Sequence, residues 1–207
     1  KVRTPWRPTA SGGDADPDEI ATAVLRALQG ALARAGDVRV DAVGVTGMGE
    51  TGVLVDANGR PLAPAIAWHD RRGLSQAGKL AREVGAIAET SGRAASPLCT
   101  IVKWRYLADE GLDLRGVHRW HSLAEWVVRC LGGDPQSELS LASRTGALDV
   151  RRGALNPDAV AWAGGHIEWF DELVPAGRAA GRATVGPPAL HGSVLSVGGL
   201  DGYASAV

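Results

Sequence analysis

Only two cysteines occur, Cys99 and Cys130, and they form neither a Cys-Xaa-Xaa-Cys pair nor a metal-ligand spacing. They are read as reduced thiols in the core of a cytosolic protein rather than as a disulfide framework. No run of about 18 apolar residues is present, which argues against a membrane span. No basic start leads into an apolar signal region either. Charge of one sign is not in excess: 22 Lys and Arg against 23 Asp and Glu leave a formal net charge of -1. No long-range field therefore favours nucleic acid or an anionic membrane as partner. The five histidines, His69, His118, His121, His166 and His191, are scattered, so no metal site is expected. The glycine-rich stretches lack the lysine and hydroxyl of a phosphate-binding P-loop, no Ser-His-Asp arrangement is evident, and no solenoid-type repeat appears.

What is present is the balance of an ordinary globular chain, 45% apolar over 207 residues, enough for one large domain or two small ones. The most informative stretch runs from Asp41 to Arg72. A short apolar strand, Val43 to Val45, breaks at Gly47-Met48-Gly49, where the backbone can come close to a ligand because two of the three residues lack a Cβ. Glu50 and Thr51 follow, then an expected hairpin: Val53 to Val55, a turn at Asn58-Gly59, and a return arm ending at Ile66-Ala67-Trp68. Trp68, His69, Asp70 and Arg71 close the stretch. Singly, these are turn glycines, a core indole and solvated acids. Together, an acid, an aromatic wall and a second acid beside a glycine break are what a sugar or polyol pocket needs, since hydroxyls require hydrogen-bond partners and a ring face.

The rest of the chain alternates helix and strand. A helix is expected after Asp16, with Pro17 at its first position, Glu19 completing a capping box, an apolar face of Ile20, Val24, Leu28 and Leu32, and Gly36 as its stop. Further helices are expected over Leu74 to Val84, from about Thr100, over Ser122 to Leu131 with a second capping box in Ser122 and Glu125, and after Asn156-Pro157. In the second of these, Ile101, Trp104, Tyr106, Leu107 and Ala108 form an apolar stripe with Lys103 and Arg105 at its edge. Ser137 to Thr145 is polar and hydroxyl-rich with Arg144 inside it, and reads as either a pocket wall or a capped turn; Gly177 to Gly192 reads as irregular. A closing strand, Val194 to Val197, leads through Gly198-Gly199 to Asp201, where a last helix begins. Periodicity alone leaves an α/β layered fold without choosing among such folds.

The string Gly44-Val45-Thr46-Gly47 through Glu50-Thr51, the turn from Asp56 to Pro61, and Trp68-His69-Asp70-Arg71 resemble the amino-terminal domain of the FGGY carbohydrate kinases. Ser140-Leu141-Ala142-Ser143-Arg144-Thr145-Gly146 and Gly198-Gly199-Leu200-Asp201 agree with that family in order. The resemblance spans nearly the whole chain, with gaps. It implies the ribonuclease H-like α/β fold of the actin, Hsp70 and sugar kinase superfamily, with a mostly helical insertion. Residues 1–207 would be the sugar-binding domain, without the family's first strands and Asp-Xaa-Gly-Thr-type turn and without its carboxy-terminal ATP-binding domain. Lys1 to Pro5 reads as the tail of a strand with no initiator methionine before it, so the sequence is taken as a fragment.

The activity implied is ATP-dependent phosphorylation of a hydroxyl on a sugar, sugar acid or polyol, with Mg²⁺, in the cytoplasm. A small-molecule sugar or polyol would be the partner, and homodimerisation is left open. Asp201 would be the general base, Gly49, Glu50, Trp68 and Asp70 would contact the acceptor, and Gly198 and Gly199 would leave room for phosphate. Arg71 would pair with Asp70. Glu50-Thr51 is similar to the glycerol kinase form of its loop and departs from the Gln-Met-His-like run of xylulokinases, which leaves the acceptor open. Asp201 could instead merely cap the last helix. The alternatives are a non-catalytic sugar-binding or regulatory domain derived from such a kinase, and an unrelated nucleotide-binding domain. The second of these lacks support, since Gly47-Met48-Gly49 has no third glycine and no helix after it. The fragment alone is expected to bind sugar weakly and to transfer no phosphoryl group.

Overall fold

A computed structural model of the chain describes residues 2–206. Two short strands, β1 (Arg7–Pro8) and β2 (Gly13–Ala15), precede the long helix α1 (Pro17–Ala35). β3 (Ala42–Gly47), β4 (Gly52–Val55) and β5 (Ala65–Ile66) follow. A helical section then comprises α2 (Leu74–Glu83), α3 (Ile87–Ser91) and α4 (Thr100–Asp109). Next come β6 (Arg119–Ser122), α5 (Leu123–Cys130), β7 (Ser137–Glu138), α6 (Leu139–Ala142), β8 (Leu148–Asp149), β9 (Ala154–Leu155) and α7 (Pro157–Trp162). The chain closes with β10 (Leu173–Val174), β11 (Ala179–Arg182), β12 (Val194–Leu200) and α8 (Asp201–Ala204).

The sheet that matters for the site has the order β11-β12-β3. β12 runs parallel to β3, with Val194 opposite Ala42 and Leu200 opposite Gly47, and antiparallel to β11. α5 packs across β3 and β12, where Ala124, Val127, Val128 and Leu131 meet Leu195 and Val197 in one apolar cluster. The helical section holds a second core in which Trp104 meets Trp120 at 5.9 Å and Trp169 at 5.2 Å, both edge-on. Leu123 and Trp126 reach a third cluster with Val53, Val55 and Ala65, so α5 and its preceding strand join all three. The expected apolar face of α1 is only half covered, because a hollow of about 490 Å³ lies between that helix and β3.

Helix ends follow local rules. Ser122 and Glu125 form the expected capping box, and the second carboxylate oxygen of Glu125 accepts from Glu138 N at 3.0 Å, which ties β7 to the same helix end. Asp16 caps α1 by accepting from Asp18 N and Glu19 N, but Glu19 does not reach back. Its carboxylate is taken by Arg7 of the neighbouring strand pair, so only half of that box forms.

Two expectations are corrected. The hairpin after Glu50 is short: Asp56 Oδ1 accepts from Asn58 N and Arg60 N, and Gly59 alone of the turn takes positive φ. Its arms pair at Val55 with Pro61 and through Leu62 N to the Leu54 carbonyl at 2.9 Å. The arms then part, β4 pairing with β6 and β5 with β2, because each finds a longer buried partner elsewhere. Gly177 to Gly192 is not wholly irregular, since β11 forms an edge of the principal sheet, with a register shift between Ala179 and Arg182 that breaks its alternation. The hydroxyl-rich stretch is a capped turn, as one of its two readings had it: Glu138 accepts from Ser140 N and Leu141 N at the start of the short helix α6.

Candidate functional site

Parallel strands in register deliver whatever follows them to the same edge of a sheet, and open α/β sheets bind ligands at the carboxyl ends of their strands. Opposite Gly47, at the end of β3, stands Leu200, at the end of β12. The next residues are Met48, Gly49 and Glu50 on one side and Asp201 on the other.

Asp201 is exposed and occupies the first position of α8. It lines a shallow depression with Thr46, Gly202 and Ser205. The helix has no side-chain cap, and among the described residues the only backbone donor on the Asp201 carboxylate is the adjacent Gly202 N at 2.8 Å. The capping role weighed for this residue is therefore not what the structure shows, and its carboxylate is open to a ligand.

Glu50 is buried, with 6% of its surface exposed. Its Oε1 accepts from Arg144 Nε at 2.8 Å, lies 2.6 Å from Arg144 Nη2, and receives a longer contact of 3.5 Å from Arg93. Arg93 also donates to the Arg144 backbone carbonyl at 2.7 Å. These hydrogen bonds all fall on one carboxylate oxygen, leaving Oε2 as the acceptor a hydroxyl could use.

Trp68 is 46% exposed and meets His69 edge-on at 5.3 Å. A half-bare indole fits an apolar wall better than a core residue. Asp70, by contrast, is fully buried and fully used. Its Oδ1 accepts from Arg72 N at 2.8 Å and Arg72 Nε at 3.0 Å, and its Oδ2 from Gly13 N at 2.9 Å and Arg72 Nη2 at 2.8 Å. Arg72 continues to Asp14 at 3.0 Å. The expected partner Arg71 is thus replaced by Arg72, the residue that the turn after Asp70 points towards Asp14. Burial pushes the Asp70 carboxyl up, but the hydrogen bonds and charge of Arg72 outweigh it and hold the group below its ordinary value. With both oxygens saturated, Asp70 ties the Trp68 segment to β2 and has no free acceptor to offer a substrate.

The glycines have packing reasons of their own. A Cβ on Gly49 would lie 2.7 Å from Arg144 Cβ and 2.9 Å from the Leu141 carbonyl, so the gap expected to admit a ligand admits Arg144 instead. A Cβ on Gly198 would meet Thr46 Cγ2 at 2.9 Å, and one on Gly199, at φ 85°, would lie 3.1 Å from Ser140 Oγ. A side chain at either position would crowd protein atoms.

Residues 6–207 match the sequence profile of the FGGY family of carbohydrate kinases, N-terminal domain. The chain belongs to that family. It is 29% identical over 167 residues to a glycerol kinase of Thermococcus onnurineus, covering 77% of this chain and 31% of that protein. To a xylulose kinase of Streptomyces coelicolor it is 28% identical over 207 residues, covering 96% and 42%. The crystal structure of xylulose kinase from Rhodospirillum rubrum superposes with a TM-score of 0.89 at 23% identity, over 98% of this chain and 44% of that one. The chain thus spans less than half the length of the curated relatives it matches. Its fold is the ribonuclease H-like α/β fold of the sugar kinases, with the helical section inserted between core strands.

Within this FGGY domain, the structure groups the expected residues unevenly. Glu50 and the Trp68 segment are joined through Lys103, whose Nζ donates to both the Glu50 and Ala67 carbonyls at 3.0 Å. Asp201 lines a different hollow from Glu50 and meets it only through the paired strand ends. Sequence reasoning missed Arg93 and Lys103 as parts of the site, and left Arg144 undecided between a pocket wall and a turn. The one signal for Lys103 was a cation at the edge of an apolar helical stripe. Among the described residues no three His, Cys, Asp or Glu side chains converge as a metal-holding group, and no helix is long and apolar enough to cross a membrane.

Proposed function

We propose that this domain binds the acceptor in a cytoplasmic, ATP-dependent carbohydrate kinase, with Asp201 as general base towards a hydroxyl of a sugar, sugar acid or polyol. The observation that carries this reading is the register of β12 on β3, which sets Asp201 and the Glu50 loop at one sheet edge. Glu50 Oε2 accepts from an acceptor hydroxyl, and the Trp68 indole covers an apolar ring or chain face. Asp201 takes the proton of the reacting hydroxyl as the hydroxyl oxygen bonds to the γ-phosphorus of ATP and the bond from that phosphorus to the β–γ bridging oxygen breaks, releasing ADP. Positioning supplies most of the acceleration in such a transfer.

ATP and its Mg²⁺, when bound, supply the phosphoryl group and neutralise its charge. Gly198 and Gly199 serve the site by letting β12 close on Thr46 and Ser140, and Gly49 serves it by making way for Arg144. Asp70 acts through the placement of Trp68 rather than by touching the acceptor.

The test is ADP release by the intact protein, screened against glycerol, pentuloses, hexuloses and gluconate, and repeated with Asp201→Asn. Loss of a general base lowers the rate about 10²–10⁴-fold. An Asp201→Asn protein that releases ADP at the normal rate with its acceptor removes the mechanism.

A further inference from the structure

We infer that Lys103 is a positioning residue for acceptor binding, fastening the backbone of Glu50 to the backbone of Ala67 so that the acid and the neighbouring Trp68 indole form one wall. The inference rests on the reading that Glu50 and Trp68 meet the acceptor.

Lys103 projects from the first turn of α4 and is 4% exposed. Both of its hydrogen-bond acceptors are carbonyl oxygens, on Glu50 and on Ala67, each at 3.0 Å. Thr100, one helical turn earlier, donates its hydroxyl to the Glu50 carbonyl at 3.2 Å. A carbonyl oxygen has two lone pairs, and those of Glu50 are now both used. The Ala67 carbonyl is filled in the same way, by Lys103 and by Asp70 N at 3.1 Å. Arg144 holds the Glu50 side chain from the other direction. The loop after β3 and the segment after β5 belong to different sheets, and the ammonium group is the direct bond between them.

A purely structural tie would be chemically costly in this form. A buried ammonium loses its hydration, and a well-packed apolar side chain in its place is often as stable or more so. Burial accordingly pushes the Lys103 pKa down to about 8, against the pull of the Glu50 and Asp70 carboxylates. What the lysine provides, and an apolar residue could not, is a fixed distance between two loops at the sheet edge. Substrate-positioning groups act in this way, since small displacements of a bound hydroxyl weaken binding and reaction together.

The experiment compares Lys103→Met and Thr100→Val in the intact protein, with KM measured separately for acceptor and nucleotide and folding checked by thermal unfolding. Lys103→Met should raise the acceptor KM about tenfold and Thr100→Val about threefold, with the nucleotide KM unchanged in both. The double variant Lys103→Met/Glu50→Gln should be little worse than the poorer single variant, because the lysine works through Glu50. An unchanged acceptor KM in folded Lys103→Met, or additive losses in the double variant, overturns the inference. Where Lys103→Met does not fold, Thr100→Val decides, and an unchanged acceptor KM in it counts against the inference. If the intact protein turns over no acceptor, the acceptor Kd takes the place of KM, and failure to bind any acceptor overturns the inference together with the site. Undiminished activity of Asp201→Asn, by contrast, sinks the proposed base while leaving the Lys103 comparison readable.

Discussion

Replacing Asp70 with asparagine keeps the side chain's size and removes its charge, which distinguishes a structural tie from a substrate contact. Asp70 Oδ1 accepts from Arg72 N and Nε, and Oδ2 from Gly13 N, Arg72 Nη2 and, at 3.4 Å, the Thr9 hydroxyl. Whichever oxygen becomes an NH₂ group meets two N–H donors with a third. Charge-assisted bonds are lost and Arg72 keeps only Asp14 as carboxylate partner, so the cost is about 3–5 kcal/mol, the range for breaking a buried pair. In a domain of this size that lowers Tm by roughly 6–20 °C, readable by near-UV circular dichroism. The pH dependence has a definite sign. The folded carboxyl ionises below its ordinary value, so its stabilisation is present above the unfolded pKa of about 4 and drains away as pH falls through the lowered value. Asp70→Asn should lose that acid-side dependence. A variant whose Tm moves by less than about 2 °C while its acceptor KM rises would refute the structural assignment and restore Asp70 as a ligand.

Gly49→Ala should cost about 1–3 kcal/mol through overpacking and raise the acceptor KM, because its Cβ would displace the Arg144 stem that holds Glu50. Equal acceptor affinity in the two proteins would show that Arg144 does not set the Glu50 carboxylate. His121 is 3% exposed, and burial first, then the charges of Arg129 and Arg119, push its pKa down to about 4 despite Asp171 3.6 Å away. The unfolded imidazole takes its proton near pH 6.5, so stability is full above that value and falls by up to ~3 kcal/mol between pH 6.5 and pH 4. Urea denaturation at pH 7.5 and pH 5 should show this loss in the parent protein and a flatter profile in His121→Gln; identical profiles would contradict it.

The amino-acid sequence by itself determined what is decided within a few residues. Ser122 and Glu125 cap their helix because donor and acceptor are one turn apart, and Asn156 with Pro157 starts α7 for the same reason. The apolar runs of β3 and β12, and the order of the motifs around Gly47, Glu50, Trp68 and Asp201, were enough for fold and family. Only the tertiary structure decided which strand β4 would pair with, that Arg72 rather than Arg71 would hold Asp70, and that Gly49 would make room for Arg144. The bonds concerned join residues far apart in the chain: 94 positions from Glu50 to Arg144, and 36 from Ala67 to Lys103. Such partners are chosen by packing, where burial penalises a polar group left without an acceptor or donor, and nothing in the residues beside Lys103 says which two carbonyls it will join.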